Sequence, residues 1–300
     1  MAQIATNTET VALPKEETIS PWKDAWRSFK KNKLALVGFI IVLFFILLAI
    51  FAPWIAPEGI NDQKLGDRTQ VLQPPSAEYW FGTDDFGRDI MSRIIHGSRI
   101  SLSVGFFAVV LSAVVGSTLG IIAGYYGKWV DVIISRFFDI MLAFPSILLA
   151  IAVVAALGPS LRNALIAIAI INIPNFGRLI RSKVLSVKQE EYVMAAKAIG
   201  MKDRRILFSH VLPNSMAPII VQGTLAIATA IIEAAALGFL GLGAQAPDPE
   251  WGKMLADSKN YLIQAPWTMI FPGLAIMLTV LGFNLMGDGL RDALDPRMKN

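Results

Sequence analysis

The sequence predicts an all-α membrane protein that crosses the bilayer six times, and three observations predict it. Of its 300 residues 54% are hydrophobic and only 17% charged, with a mean hydropathy of +0.55, which is more apolar surface than one soluble core can bury. The apolar residues fall in blocks of about twenty, the length a helix needs to cross hydrocarbon, instead of being scattered at helical or strand period. Lysine and arginine gather in alternate connecting segments, as they do when one side of a membrane retains them.

The first block, 34–56, reads LALVGFIIVLFFILLAIFAPWIA. It exceeds the roughly 7–15 apolar residues of a signal peptide and so should persist as a spanning helix. Further blocks cover 100–125, 132–157, 164–180, 217–242 and 267–286. The fourth is interrupted by Asn172, Pro174 and Asn175 and is read as a kinked helix facing protein, where neighbours can satisfy the freed backbone groups. With the N-terminus in the cytoplasm, 18 of the 27 basic residues lie inside, so both termini are expected there. The resulting organisation is a cytoplasmic tail at 1–33, the first span at 34–56 and an extracytoplasmic segment at 57–98. A five-helix unit at 99–289 holds a cytoplasmic loop at 181–213, and a cytoplasmic tail follows at 290–300.

Several chemistries are excluded. Without cysteine there is no disulfide framework, thiolate metal site or cysteine nucleophile. The net charge of +4 belongs to retained loop charge, and no compact basic domain exists to grip nucleic acid. GYYGK at 124–128 lacks the spacing and the following Ser or Thr of a phosphate-binding loop; HExxH and GxSxG are missing, and His96 and His210 are expected on opposite sides. No metal site and no catalytic residue is expected.

The loop between the fourth and fifth spans carries the most information: EEYVMAAKAIGMKDRRILFSHVLPN, 190–214. Ser186 and Gln189 have capping-box spacing, so a helix is predicted from there to Gly200, whose left-handed freedom would end it. Tyr192, Ala195, Ala196 and Ile199 fall on one face, small and apolar at its centre, with Glu191 at the rim. Asp203 is predicted to cap a second short helix through Ile206, Leu207 and His210, which Pro213 closes, and Arg205 and Leu212 belong to the same loop. Periodicity alone leaves two readings open: a plug for a groove on a partner, or an amphipathic helix lying at lipid headgroups.

This loop resembles the EAA loop of ATP-binding-cassette importer permeases, through the alanine pair Ala195–Ala196, Gly200, and the terminal Leu212–Pro213. Met194 stands where that family often has glutamate. The stretches FGTDDFGRDIMSRIIHGSRISL, LGFLGLGAQAPDPEWGKML and FPGLAIMLTVLGFNLMGDGLRDALDPR are similar to those of the dipeptide, oligopeptide and nickel branch, most like the shorter dipeptide permease. The resemblance implies a type I (MetI-like) core made by the last five spans, and a non-enzymatic subunit importing dipeptides or short oligopeptides. It also implies a second, homologous permease subunit, two ATPase subunits that bind the ATP and magnesium, and an extracytoplasmic peptide-binding protein. Nickel or glutathione import by the same kind of permease is the alternative substrate reading. An ion-gradient-driven transporter using Asp139 and Glu233 is the alternative of another class.

Within the spans, Gly116, Gly120 and Gly124 recur every fourth residue, so their face should meet another helix, preferably of the same chain. Arg136 and Asp139 have the spacing of an ion pair. Glu233 lies deeper, and both a place on the translocation path and a structural hydrogen bond remain open for it.

Overall fold

A computed structural model describes residues 21–59 and 66–294 of the chain. Lys15, Lys64, Arg297 and Lys299, used above for orientation, lie outside the described residues, as do 1–20 and 295–300 of the two tails. Among the described residues the regular structure is helical, apart from an isolated bridge between Thr83 and Asp89. The helices are α1 (Pro21–Lys31), α2 (Lys33–Ile55), α3 (Ile90–Tyr126), α4 (Lys128–Leu142) and α5 (Ser146–Leu157). They continue with α6 (Leu161–Val187), α7 (Glu191–Ala198), α8 (Asp203–Ile206), α9 (Leu212–Phe239), α10 (Trp251–Ser258) and α11 (Trp267–Leu294).

Five continuous helical stretches among the described residues are long and apolar enough to cross a membrane: α2, α3, α6, the run from Asp203 to Phe239, and α11. The expected third span is instead a broken pair, α4 and α5, bent by 93°. Pro145 explains the break: it has no N–H to donate, and it pushes Phe144 out of the helical region. The fourth span runs as one helix through Pro174; Asn172 and Pro174 are buried, as the protein-facing reading required, but Asn175 is exposed.

The second span differs in its start. The apolar block was read from residue 100, but the helix α3 is continuous from Ile90, where the Asp89 carboxylate accepts from Ser92 N at 2.8 Å and caps it. Just before that cap, Asp84 gathers the segment that leads into α3. It accepts from Phe86 N (2.8 Å), Arg88 N (3.0 Å) and Arg88 Nε (2.6 Å), and Arg93 Nε lies 3.4 Å away. Arg93 is 2% exposed and donates to the Pro247 carbonyl at 3.4 Å, tying this segment to the turn before α10. Asp84→Ala would strand two buried guanidinium groups, so a loss of about 3–5 kcal/mol is expected in detergent unfolding. Asp85→Ala, which removes only a 4.0 Å contact to Arg88, should fall within about 1 kcal/mol of wild type in the same measurement.

Close helix packing at glycine organises the centre. A Cβ on Gly116 would lie 2.5 Å from the Ile173 carbonyl, and one on Gly124 would lie 2.9 Å from the Arg181 carbonyl. Gly120 approaches the Gly177 backbone just as closely, so the glycine face of α3 is spent on α6 of the same chain. Gly177 was not singled out from the sequence; it gives room both to α3 and to the Phe138 ring of α4. The first span α2 packs against α11 with Gly38 set on Gly282, where an added Cβ would be 2.7 Å from the carbonyl.

Candidate functional site

The segment from Val187 to Leu212 is held by one buried cluster with the ends of α3 and α6, including Tyr125, Ile180, Val184, Val193, Ala196 and Ile206. Polar contacts fix its register. Lys188 Nζ donates to the Tyr125 carbonyl at 2.6 Å, and Tyr125 Oη donates to the Asp203 carboxylate at 2.6 Å. Asp203 therefore does not cap α8 as predicted; Lys202 occupies the cap position and Asp203 instead anchors the loop to α3.

The local helix differs from the expected one in other respects. Ser186 lies inside α6, which runs to Val187, and α7 begins only at Glu191 with Glu190 at its cap. The capping-box spacing of Ser186 and Gln189 is overridden because Val184 and Val187 are buried and prolong α6 by packing. Gly200 ends α7 as predicted, with φ +76° and the Met201 amide donating to the Ala196 carbonyl at 3.1 Å. Pro213 does not close a helix. A π-turn at Leu207–Val211 runs into α9, and Leu212 N reaches back to the Leu207 carbonyl. This wider turn leaves room for a proline whose missing N–H would break an ordinary α-ladder.

The expected face is divided. Ala196 turns inward beside Val193, whereas Tyr192, Ala195 and Ile199 point outward, Ile199 being 79% exposed. Phe208, which the sequence reasoning passed over, and Met194, noted there only as standing where the family often has glutamate, extend this exposed apolar surface. Their alternation with buried Val193 and Ile206 is the signal that could have found them. Lys197, Lys202, Arg204 and Arg205 border it, all exposed. Partial desolvation and nearby Glu190 move the Tyr192 phenol above its usual pKa, keeping it neutral, and its ring centroid lies 5.9 Å from that of His210. A rigidly pinned loop with an uncovered apolar crest is suited to docking, since its shape is set before a partner arrives.

The other singled-out residues are distributed through the bundle. Asp139 pairs with Arg136 at 3.7 Å, as its spacing predicted, and with Arg178 at 2.5 Å across to α6. Asp131 holds Arg181 through both carboxylate oxygens, a link between α4 and α6 that sequence separation had hidden. Glu233 accepts from Asn172 Nδ2 at 2.9 Å and is partly buried. Among the described residues no group of three or more His, Asp or Glu is arranged to hold a metal.

Residues 116–300 match the family described as the inner membrane component of binding-protein-dependent transport systems. The chain belongs to that family. Residues 20–75 of this permease also match the N-terminal transmembrane domain of oligopeptide transport permease C. The dipeptide transport system permease protein DppC of Alkalihalophilus pseudofirmus is 67% identical, over 94% of this chain and 92% of that one. The di/tripeptide permease DppC of Pseudomonas aeruginosa is 50% identical over 94% of both chains. A glutathione transport system permease, GsiD of Escherichia coli, is 47% identical over 99% and 97%. Among solved structures, a chain of the MetNI methionine ABC transporter in inward-facing conformations superposes with a TM-score of 0.56 at 17% identity, covering 69% of this permease and 98% of that chain. It bears out the MetI-like fold. The permease is thus a multi-pass inner-membrane subunit of an ABC importer.

Proposed function

We propose that this permease imports dipeptides, with longer short peptides as secondary cargo, and that the segment 187–212 is where ATPase subunits grip it. The observation that carries the substrate reading is the 67% identity, over nearly the whole chain, to a dipeptide permease. Glutathione is itself a small peptide, so the GsiD relatives fit the same chemical class. What supports the coupling reading is the uncovered crest of Tyr192, Ala195, Ile199 and Phe208 on a loop fixed from beneath.

In this reading the chain performs no chemistry. ATP and magnesium are held by two partner subunits, and a second permease completes the pathway. A binding protein delivers peptide from outside, and both termini are cytoplasmic. Nucleotide moves the assembly only through a different affinity for its inward and outward states, and the loop transmits that difference to α6 and α9 at its two ends. Asp139, engaged by two arginines, and Glu233, engaged by Asn172, are the acids that an ion-coupled mechanism would need.

Cells lacking the chain are expected to lose uptake of a radiolabelled dipeptide while nickel uptake continues, and plasmid-borne wild type to restore it. Glu233→Gln should restore it too, because the amide can still accept from Asn172. Unimpaired dipeptide entry without the chain would overturn the substrate reading, and loss of uptake in Glu233→Gln would put that residue on the path.

A further inference from the structure

An apolar groove of about 640 Å³ opens on the flank of the bundle between α2 and α3. Its wall is Phe39, Leu43, Ile46 and Ile50 on α2 and Phe106 on α3, floored by Phe283. At one end stands Arg99, with Ser103 one turn below it. Among the described residues no carboxylate pairs with Arg99, and its guanidinium makes no hydrogen bond. Arg88 and Arg93, at the same end, are both engaged: Arg88 with Asp84, and Arg93 with Asp84 and the Pro247 carbonyl.

Depth can be read from the neighbouring contacts. Ser92 Oγ accepts from Glu58 N at 2.9 Å and His96 Nε2 lies 3.2 Å from the Glu58 carbonyl, just past the end of α2. Arg99 follows His96 by about one turn, so it lies where acyl chains give way to headgroups. Below it, Phe39 to Ile50 extend about 16 Å along α2, close to one leaflet of a hydrocarbon core roughly 30 Å thick. An uncompensated guanidinium at that depth is unfavourable unless it reaches water or an anion.

We propose that this groove seats one anionic glycerophospholipid, with its phosphate on Arg99 and an acyl chain laid along α2. The charge selects the headgroup, the groove takes the tail, and the lipid fixes the first span against the rest of the bundle. The inference rests on the chain's crossing the membrane and not on what it transports.

The test uses the permease purified with the subunits that accompany it, in nanodiscs of phosphatidylcholine containing a small fraction of phosphatidylglycerol with a diazirine on one acyl chain. After irradiation, label should concentrate on peptides spanning 43–50 and on Phe106, in preference to a matched phosphatidylcholine probe. Arg99→Gln should reduce that label about tenfold, the loss of one charge-assisted contact, and Arg99→Lys should keep most of it. Ala49→Phe, which fills the groove from α2, should displace both probes while leaving Arg99 in place. Equal labelling of wild type and Arg99→Gln would overturn the proposal. So would label spread evenly over all exposed spans, or a photo-crosslinker at Leu43 that captures another protein chain.

Discussion

Gly200→Trp is expected to leave the permease folded and assembled, to leave ATP hydrolysis running, and to lower substrate uptake about a hundredfold. The site tolerates bulk on the permease itself, because nothing lies within 4 Å of where a Cβ would stand. Its φ of +76° makes any side chain strained there, at about 1 kcal/mol. The indole would project beside Ile199, on the crest proposed to enter an ATPase cleft, and blocking a central docking contact is commonly worth about 3 kcal/mol, or about a hundredfold. Gly200→Asn separates the two effects: asparagine accepts the left-handed backbone, so that variant should keep most of its uptake. Uptake and ATPase rate measured together in proteoliposomes decide the matter, and normal uptake by Gly200→Trp would end the docking model.

Gly120→Leu should prevent the bundle from forming, giving little extractable protein or a melting transition far below wild type. A side chain here would meet the Gly177 carbonyl and lie 3.1 Å from the Arg181 amide, both backbone atoms in the interior of α6 that have nowhere to go. Overpacking of a rigid interface by this much is expected to cost about 3 kcal/mol or more. Thr118→Leu, on the exposed side of the same helix, is the matched control and should melt within a few degrees of wild type. If both variants behaved alike in size-exclusion chromatography and thermal unfolding, the glycine contact would not be what holds α3 to α6.

These two glycines illustrate how the sequence informs and where it stops. The spacing of Gly116, Gly120 and Gly124 announced a close helix contact, since small residues every four positions have little other use in lipid. Nothing in the spacing named α6 as the partner, and Gly177, the complementary residue, stands alone in its own stretch. The loop behaves similarly. Gly200 could be read as a helix stop because a local backbone need is local information. Ser186 could not be rejected as a helix start, because Val184 and Val187 extend α6 through burial against Tyr125 and Ile206, which are distant in the chain.

By itself, the sequence determined the number and order of the apolar blocks, the helical class and the membrane environment, because hydrocarbon demands long apolar runs with internally satisfied backbone. Motif resemblance carried the family and marked out the loop proposed to dock with the ATPase subunits. Only the tertiary structure decided that the third block is broken at Pro145 into two helices set at about a right angle. It alone turned Ala196 inward while leaving Met194 and Phe208 outside, and paired Asp131 with Arg181 and Tyr125 with Asp203. Those outcomes depend on which helices become neighbours, and packing between residues far apart in the chain is a property that no local pattern encodes.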